Sequence, residues 1–210
     1  MRILNTFLLA MMLISATANN YNQAMTNALE TMKTARTADE LSAVANQFER
    51  ISNVEPTQWL PLYYQAFSKI RISFMLKDDV EKRDAYLDDA QKSIDAMLEL
   101  SPTESEIYTL QSLLHTARLV IDPMTRGQQM MMKSGQAVGK AIELNPANPR
   151  AQYVLLSNEM GQAQFFGKDV SEFCPRVNAL LNNWEELNKS PEFYPVWGKS
   201  EVQGLDRNCK

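Results

Sequence analysis

Apolar residues recur at spacings of three and four along most of this chain. In "TESEIYTLQSLLHTARLVI", Ile107, Leu110, Leu114, Ala117 and Ile121 fall on one stripe, the signature of an amphipathic helix. Thr103 followed by Glu106 supplies a capping-box start. The segment "DPMTRG" then breaks the chain, and from Gln128 the residues Met131, Ser134, Val138, Ala141 and Ile142 gather on the face of a second helix. The preceding stretch repeats this plan. Trp59 to Leu76 reads as one helix, broken around "KDD", and Glu81 to Leu100 as the next, with Leu87, Ala90, Ile94 and Met97 inward. Earlier, Tyr21 to Ala35 is helical, and a helix opened by Thr37 or Asp39 turns Val44, Phe48 and Ile51 inward. Later come Arg150 to Phe165, a turn at "FFGKD", and Ser171 to Asn188. No strand-like alternation of any length occurs, so the expected fold class is all-α.

Prolines punctuate this pattern. Pro56, Pro102, Pro146 and Pro191 each follow a helical run, at spacings of 46, 44 and 45 residues. A fixed period in this range marks a helical repeat array, in which each hairpin buries its apolar face only against its neighbours. About four hairpins are expected, with units near 21–56, 57–102, 103–146 and 147–191. Residues 192–210 would form a C-terminal capping segment.

The first residues stand apart. "MRILNTFLLAMMLISATA" has a positive start at Arg2, an apolar run to Ile14, and Ala16-Thr17-Ala18 as a cleavage site. This is the layout of a secretory signal peptide over 1–18. Its apolar run is short for a membrane span, and no later segment is long and apolar enough for one. The expected location is outside the cytoplasm, in the periplasm if the source is a Gram-negative bacterium. In that setting the pair Cys174 and Cys209 is expected to form a disulfide, fastening the tail over the exposed end of the last hairpin. There is no C-x-x-C to support redox catalysis.

Charge narrows the partners. The formal net charge is -4 over 210 residues. Loss of Arg2 with the leader leaves 20 Lys and Arg against 25 Asp and Glu. Without a basic block, nucleic acid is a poor partner. No nucleophile–base–acid set is visible, and His115 is the sole histidine, read as structural. Asp78-Asp79 and Asp88-Asp89 lack the ligand series of a calcium loop. No catalytic residue, metal or cofactor is therefore expected. Met130, Met131 and Met132, with Met124 nearby, read chiefly as gap-filling between helices.

The words "KAIELNPANPRA" and "AMLELSP" resemble the helix-end signature of the tetratricopeptide repeat family. Ala141, Ile142 and Pro146, and likewise Met97, Leu98 and Pro102, fall where that signature places its small, apolar and proline residues. Ala66 and Ser112 fit its small contact position, whereas Leu156 departs from it. The period exceeds the family's roughly 34 residues, an excess assigned to turns at Lys77–Glu81 and Asp122–Gly127. The whole chain also resembles a group of exported bacterial proteins built from such repeats. The resemblance implies a tetratricopeptide-like α-solenoid that binds a protein or peptide on its concave face. Tyr63, Phe67, Arg150 and Tyr153 take the positions that line that face; as binding anchors they would be partly exposed, and the alternative is that these aromatics are core between the repeats. The alternative is a small-ligand binder or enzyme with a pocket where "FFGKD" meets "YPVWGK", Gly167 and Gly198 allowing close backbone approach.

If the leader is removed as its layout implies, mass spectrometry of the exported protein will read a chain beginning at Asn19. Retention of Met1 would overturn this.

Overall fold

The computed structural model describes residues 20–209; the leader expected over 1–18 lies outside them. Among the described residues the chain is all-helical. Helix α1 covers 20–34. It is followed by α2 (Ala38–Val54), α3 (Trp59–Met75), α4 (Val80–Leu100), α5 (Ser105–Ile121), α6 (Pro123–Leu144), α7 (Pro149–Phe165), α8 (Cys174–Leu187) and α9 (Lys199–Asp206), with short 3-10 turns at Ser171–Phe173 and Arg207–Cys209.

Consecutive helices from α2 to α8 pack on one another. The odd-numbered helices α3, α5 and α7 also touch side by side. The buried stripes follow the sequence pattern closely: Leu87, Ala90, Ile94 and Met97 on α4, and Ile107, Leu110, Leu114 and Ala117 on α5, are fully buried.

Three of the four periodic prolines build the same joint. At 55–58, 101–104 and 145–148 a carbonyl accepts from the N–H three residues on: Gln58 to Glu55 at 3.0 Å, Glu104 to Ser101 at 3.1 Å, and Asn148 to Asn145 at 3.1 Å. Pro56, Pro102 and Pro146 sit second in these turns, where a ring-fixed φ and a missing N–H suit the geometry. The third joint is also bonded to its neighbours. Buried Asn148 caps α7 by accepting from the N–H of Arg150 and Ala151, and donates to Ser105 Oγ at 2.9 Å. Ser105 in turn donates to the Ala141 carbonyl at 2.9 Å. Pro191 differs: it is the first residue of its turn, bonded from Tyr194 N at 3.2 Å, and Phe193 there has φ 63°.

Some expected boundaries move. Residue Glu104, not Thr103, caps α5, accepting from Glu106 N at 3.1 Å. Glu106 is no capping residue because its carboxylate turns inward to meet Arg150. "DPMTRG" is not a loop. Asp122 alone separates α5 from α6, and its side chain accepts from Thr125 N while Pro123 takes the first helical turn. The long period therefore resides largely in the helices, 21 residues in α4 and 22 in α6. On α6 the buried methionine is Met130 rather than Met131, since Met130 stands four residues, one turn, before buried Ser134.

The tail does more than cap the last hairpin. One apolar core, formed by α1 to α5, takes Phe193, Tyr194 and Trp197 against it. A second core, of Leu156, Met160, Val177, Leu180 and Trp184, takes Val202 of α9. The chain thus leaves α8, crosses the odd-numbered helices, and returns to α8. The return is fixed by the disulfide between Cys174 and Cys209, with Cα atoms 5.6 Å apart and 35 residues of separation. A loop of that size contributes roughly 3–4 kcal/mol in the chain-entropy account.

Gly198 marks the bend in this path. Its φ is 117°, and a Cβ placed there would lie 2.5 Å from the ring of Trp184. Gly198→Ala should therefore cost about 2–4 kcal/mol through backbone strain and overpacking. Thermal or urea unfolding measures this, and an unchanged melting point would refute the assigned bend.

Candidate functional site

The residues singled out by sequence converge on the N-terminal halves of α3, α5 and α7, where the tail lies over them. Tyr63 and Phe67 follow one another on a face of α3, their rings 6.3 Å apart. Phe67 stacks on Trp197 at 5.0 Å with 18° between planes, and Tyr153 of α7 meets the same indole edge-on at 6.2 Å. Trp197 Nε1 donates to Tyr63 Oη at 2.8 Å. The neighbouring Tyr64 donates its hydroxyl to the Phe193 carbonyl at 2.8 Å, and Tyr194 bonds Glu104 at 3.0 Å. Trp59 lies edge-on to Tyr194, and Tyr21 of α1 edge-on to Phe193.

Beneath these rings lies an ion pair. Arg150 Nε reaches Glu106 Oε1 and Oε2 at 2.9 and 3.0 Å, and Nη2 reaches Oε1 at 2.8 Å. The third nitrogen, Nη1, donates to Asn188 Oδ1 at 2.5 Å. Relative exposure is 1% for Arg150 and 3% for Glu106. Burial pushes the Glu106 carboxyl upward, opposed by the guanidinium beside it. It also raises the Tyr63 and Tyr64 hydroxyls far above their usual range. These groups serve as neutral hydrogen-bond partners.

The expectation of partly exposed anchors fails for three of the four residues and is met by Tyr153. Tyr63, Phe67 and Arg150 are buried and Tyr153 is half-buried, because Phe193 to Trp197 occupies the space a partner would take. Likewise "FFGKD" and "YPVWGK" do not meet in a pocket. Trp197 lies at Tyr153, and Phe165 is twelve residues further along α7, roughly 18 Å at helical rise. Gly167, with φ 66°, follows the end of α7 with nothing within 4 Å of a Cβ placed there, whereas Gly198 is closed by Trp184 and the Arg150 stem, so the two glycines do not line one cavity. Phe165 and Phe166 are exposed at the far end.

His115 is half-buried among polar neighbours. Its Nε2 pairs with Gln111 at 3.0 Å, and burial together with Lys133 and Arg118 holds its pKa at about 4. Among the described residues no group of acids, Cys and His is placed to hold a metal ion. An open groove of about 430 Å³ lies between α1 and α2, lined by Tyr21, Arg50, Val54 and Glu55 among others.

Sequence reasoning missed Glu106, Trp197 and Arg71. Phe67, Arg71 and Phe74 lie at helical spacings of four and three on α3, and this was a signal available in the pattern. The Arg71 guanidinium carbon stands 5.9 Å from the Phe67 ring centroid. It makes no hydrogen bond or ion pair with the described residues. Half-buried, it has its pKa lowered by desolvation, with Glu201 and Arg36 the charged groups that act on it.

No known family profile and no curated protein matches the chain. Among solved structures it is similar to the HusA haemophore from Porphyromonas gingivalis, with a TM-score of 0.75 and 27% identity over 92% of each chain.

A buried aromatic bonded to the tail is a fold element. Tyr63→Ala should cost about 3–5 kcal/mol, read as a large drop in melting temperature. A melting point within a degree of wild type would instead return Tyr63 to the exposed surface.

Proposed function

We propose that this chain is an exported, non-catalytic carrier whose cargo is a flat, largely apolar ligand of the haem class. The observation that carries the reading is the likeness to a haemophore along 92% of both chains. The disulfide and the leader-like start support a life outside the cytoplasm. The regular spacing of the prolines supports a repeat-derived helical scaffold. With its tail seated on the odd-numbered helices, the chain has no free face there for an extended peptide. It does retain aromatic and aliphatic surface beyond the tail, including Phe74 and Val120. Coordination by His115 receives no support, since one ring nitrogen is engaged by Gln111 and the other is buried. Ring stacking and charge pairing are the interactions this surface offers.

A second reading, docking of a protein partner, is favoured by a different feature. Met124, Phe165 and Phe166 are exposed where the helices of the third and fourth hairpins turn, and exposed apolar side chains at one edge suit an interface.

Titrating the purified mature protein with haemin and following the Soret band separates the two. A saturable shift at one equivalent is the expected result. A linear, non-saturating change like that of free haemin in buffer would rule the carrier reading out.

A further inference from the structure

The covered face of the odd-numbered helices does not end where the tail ends. On α3 the stripe of Tyr63 and Phe67 continues to Arg71 and Phe74 by steps of four and three, which keep one helix face. Phe67 is roofed by Trp197, while Phe74, two turns on, is 39% exposed. Residue Glu106 of α5 shares its face with Leu113, Ala117 and Val120, and Val120 is 42% exposed. On α7, Gly161 lies eleven residues past Arg150 and so on the same face. Nothing comes within 4 Å of a Cβ built at Gly161. The same three helix faces therefore run on past Trp197, with Arg71 and Phe74 on α3, Leu113 and Val120 on α5, and open space at Gly161 of α7.

Arg71 is the one unexplained group on these faces. Arginine inside a protein is almost always paired, because desolvating its charge is costly. Arg150, one helix layer away, shows the satisfied case, with Glu106 and Asn188 on its nitrogens. Arg71 has only the face of Phe67. Glu201, an acid whose charge acts on it, is committed to its own helix start, accepting from Gly198 N at 3.1 Å and Ser200 Oγ at 2.7 Å. It comes no closer than 4 Å to Arg71, since no ion pair forms. Arg36 adds positive charge from the α1–α2 turn. A guanidinium over one aromatic face, with its N–H fork free, suits a carboxylate on a flat apolar body.

We infer that the surface beyond Trp197 is the ligand site, and that Arg71 pairs with a carboxylate of a flat apolar ligand lying against Phe74, Val120 and the edge of Trp197. This deepens the carrier reading and rests on it for the choice of porphyrin as cargo.

The test uses the mature protein, its Arg71→Gln, Arg71→Lys and Gly161→Phe variants, and three probes: protoporphyrin IX, its dimethyl ester, and pyrenebutyrate. Quenching of Trp fluorescence gives each affinity, and circular dichroism melts confirm that each variant is folded. For protoporphyrin IX, Arg71→Gln should weaken binding about tenfold or more, Arg71→Lys less. The dimethyl ester, lacking carboxylates, should bind wild type and Arg71→Gln alike. Gly161→Phe should block the free acid by filling the open space there while leaving Arg71 intact. Equal affinity of wild type, Arg71→Gln and Gly161→Phe for protoporphyrin IX would overturn this site and leave the carrier reading standing. Wild type that refuses porphyrin yet takes pyrenebutyrate, with loss in Arg71→Gln, would end the porphyrin reading and uphold the carboxylate site. Refusal of all three probes would overturn both.

Discussion

The buried pair of Arg150 and Glu106 is the constraint around which the rest of the molecule is arranged. Two opposite charges taken out of water are tolerated only when nearly every donor and acceptor is met and the geometry is close. Both conditions are supplied from distant parts of the chain. Helix α5 brings the carboxylate and α7 the guanidinium. The end of α8 brings Asn188, which takes the remaining nitrogen. Rings of α3 and of the tail then exclude water from above. Removing one partner of such a pair leaves an uncompensated charge, with a cost of about 3–5 kcal/mol. The pair therefore sets where α5 and α7 meet and where the tail must begin its crossing.

From Asn188 onward the chain has to cover that pair, and its path follows. Phe193, Tyr194 and Trp197 fill the aromatic cluster of α1, α3 and α7, with two hydrogen bonds to α3 and one to Glu104 at the start of α5. The glycine at 198 then permits a turn too tight for any side chain, against Trp184. Val202 enters the second core and the disulfide ties the end to the start of α8. The two apolar cores, already linked where α7 packs on α5, are spanned by this strap. A run of packed helices becomes a structure whose tail touches its first described helix.

The strap also divides the surface. Half of the face formed by α3, α5 and α7 is a sealed interior, where aromatic residues stabilise the fold. The other half continues with the same helical periodicity but without a cover, and there a cation lacks a partner. The division explains why Tyr63 and Arg71, two turns apart on one helix, have opposite standing: one is bonded by the tail, the other is left to solvent and to whatever binds there.

The sequence by itself determined the helices, the prolines that separate the hairpins, and the cysteine pair. These depend on contacts between near neighbours or on a two-member choice, and apolar spacing along α4 and α5 reads directly as burial. It went astray where a residue's role was set by something far along the chain. Glu106 has the spacing of a cap but serves a buried arginine 44 residues away. Tyr63 and Arg150 have the positions of a binding face but are covered by a segment 134 and 38 residues off. Only the tertiary structure decided that the tail lies across the odd-numbered helices and not merely on the last hairpin. A helix declares itself through periodicity within a few turns, whereas the docking of an irregular segment is fixed by the shape and charge of a surface that exists only once the helices have assembled.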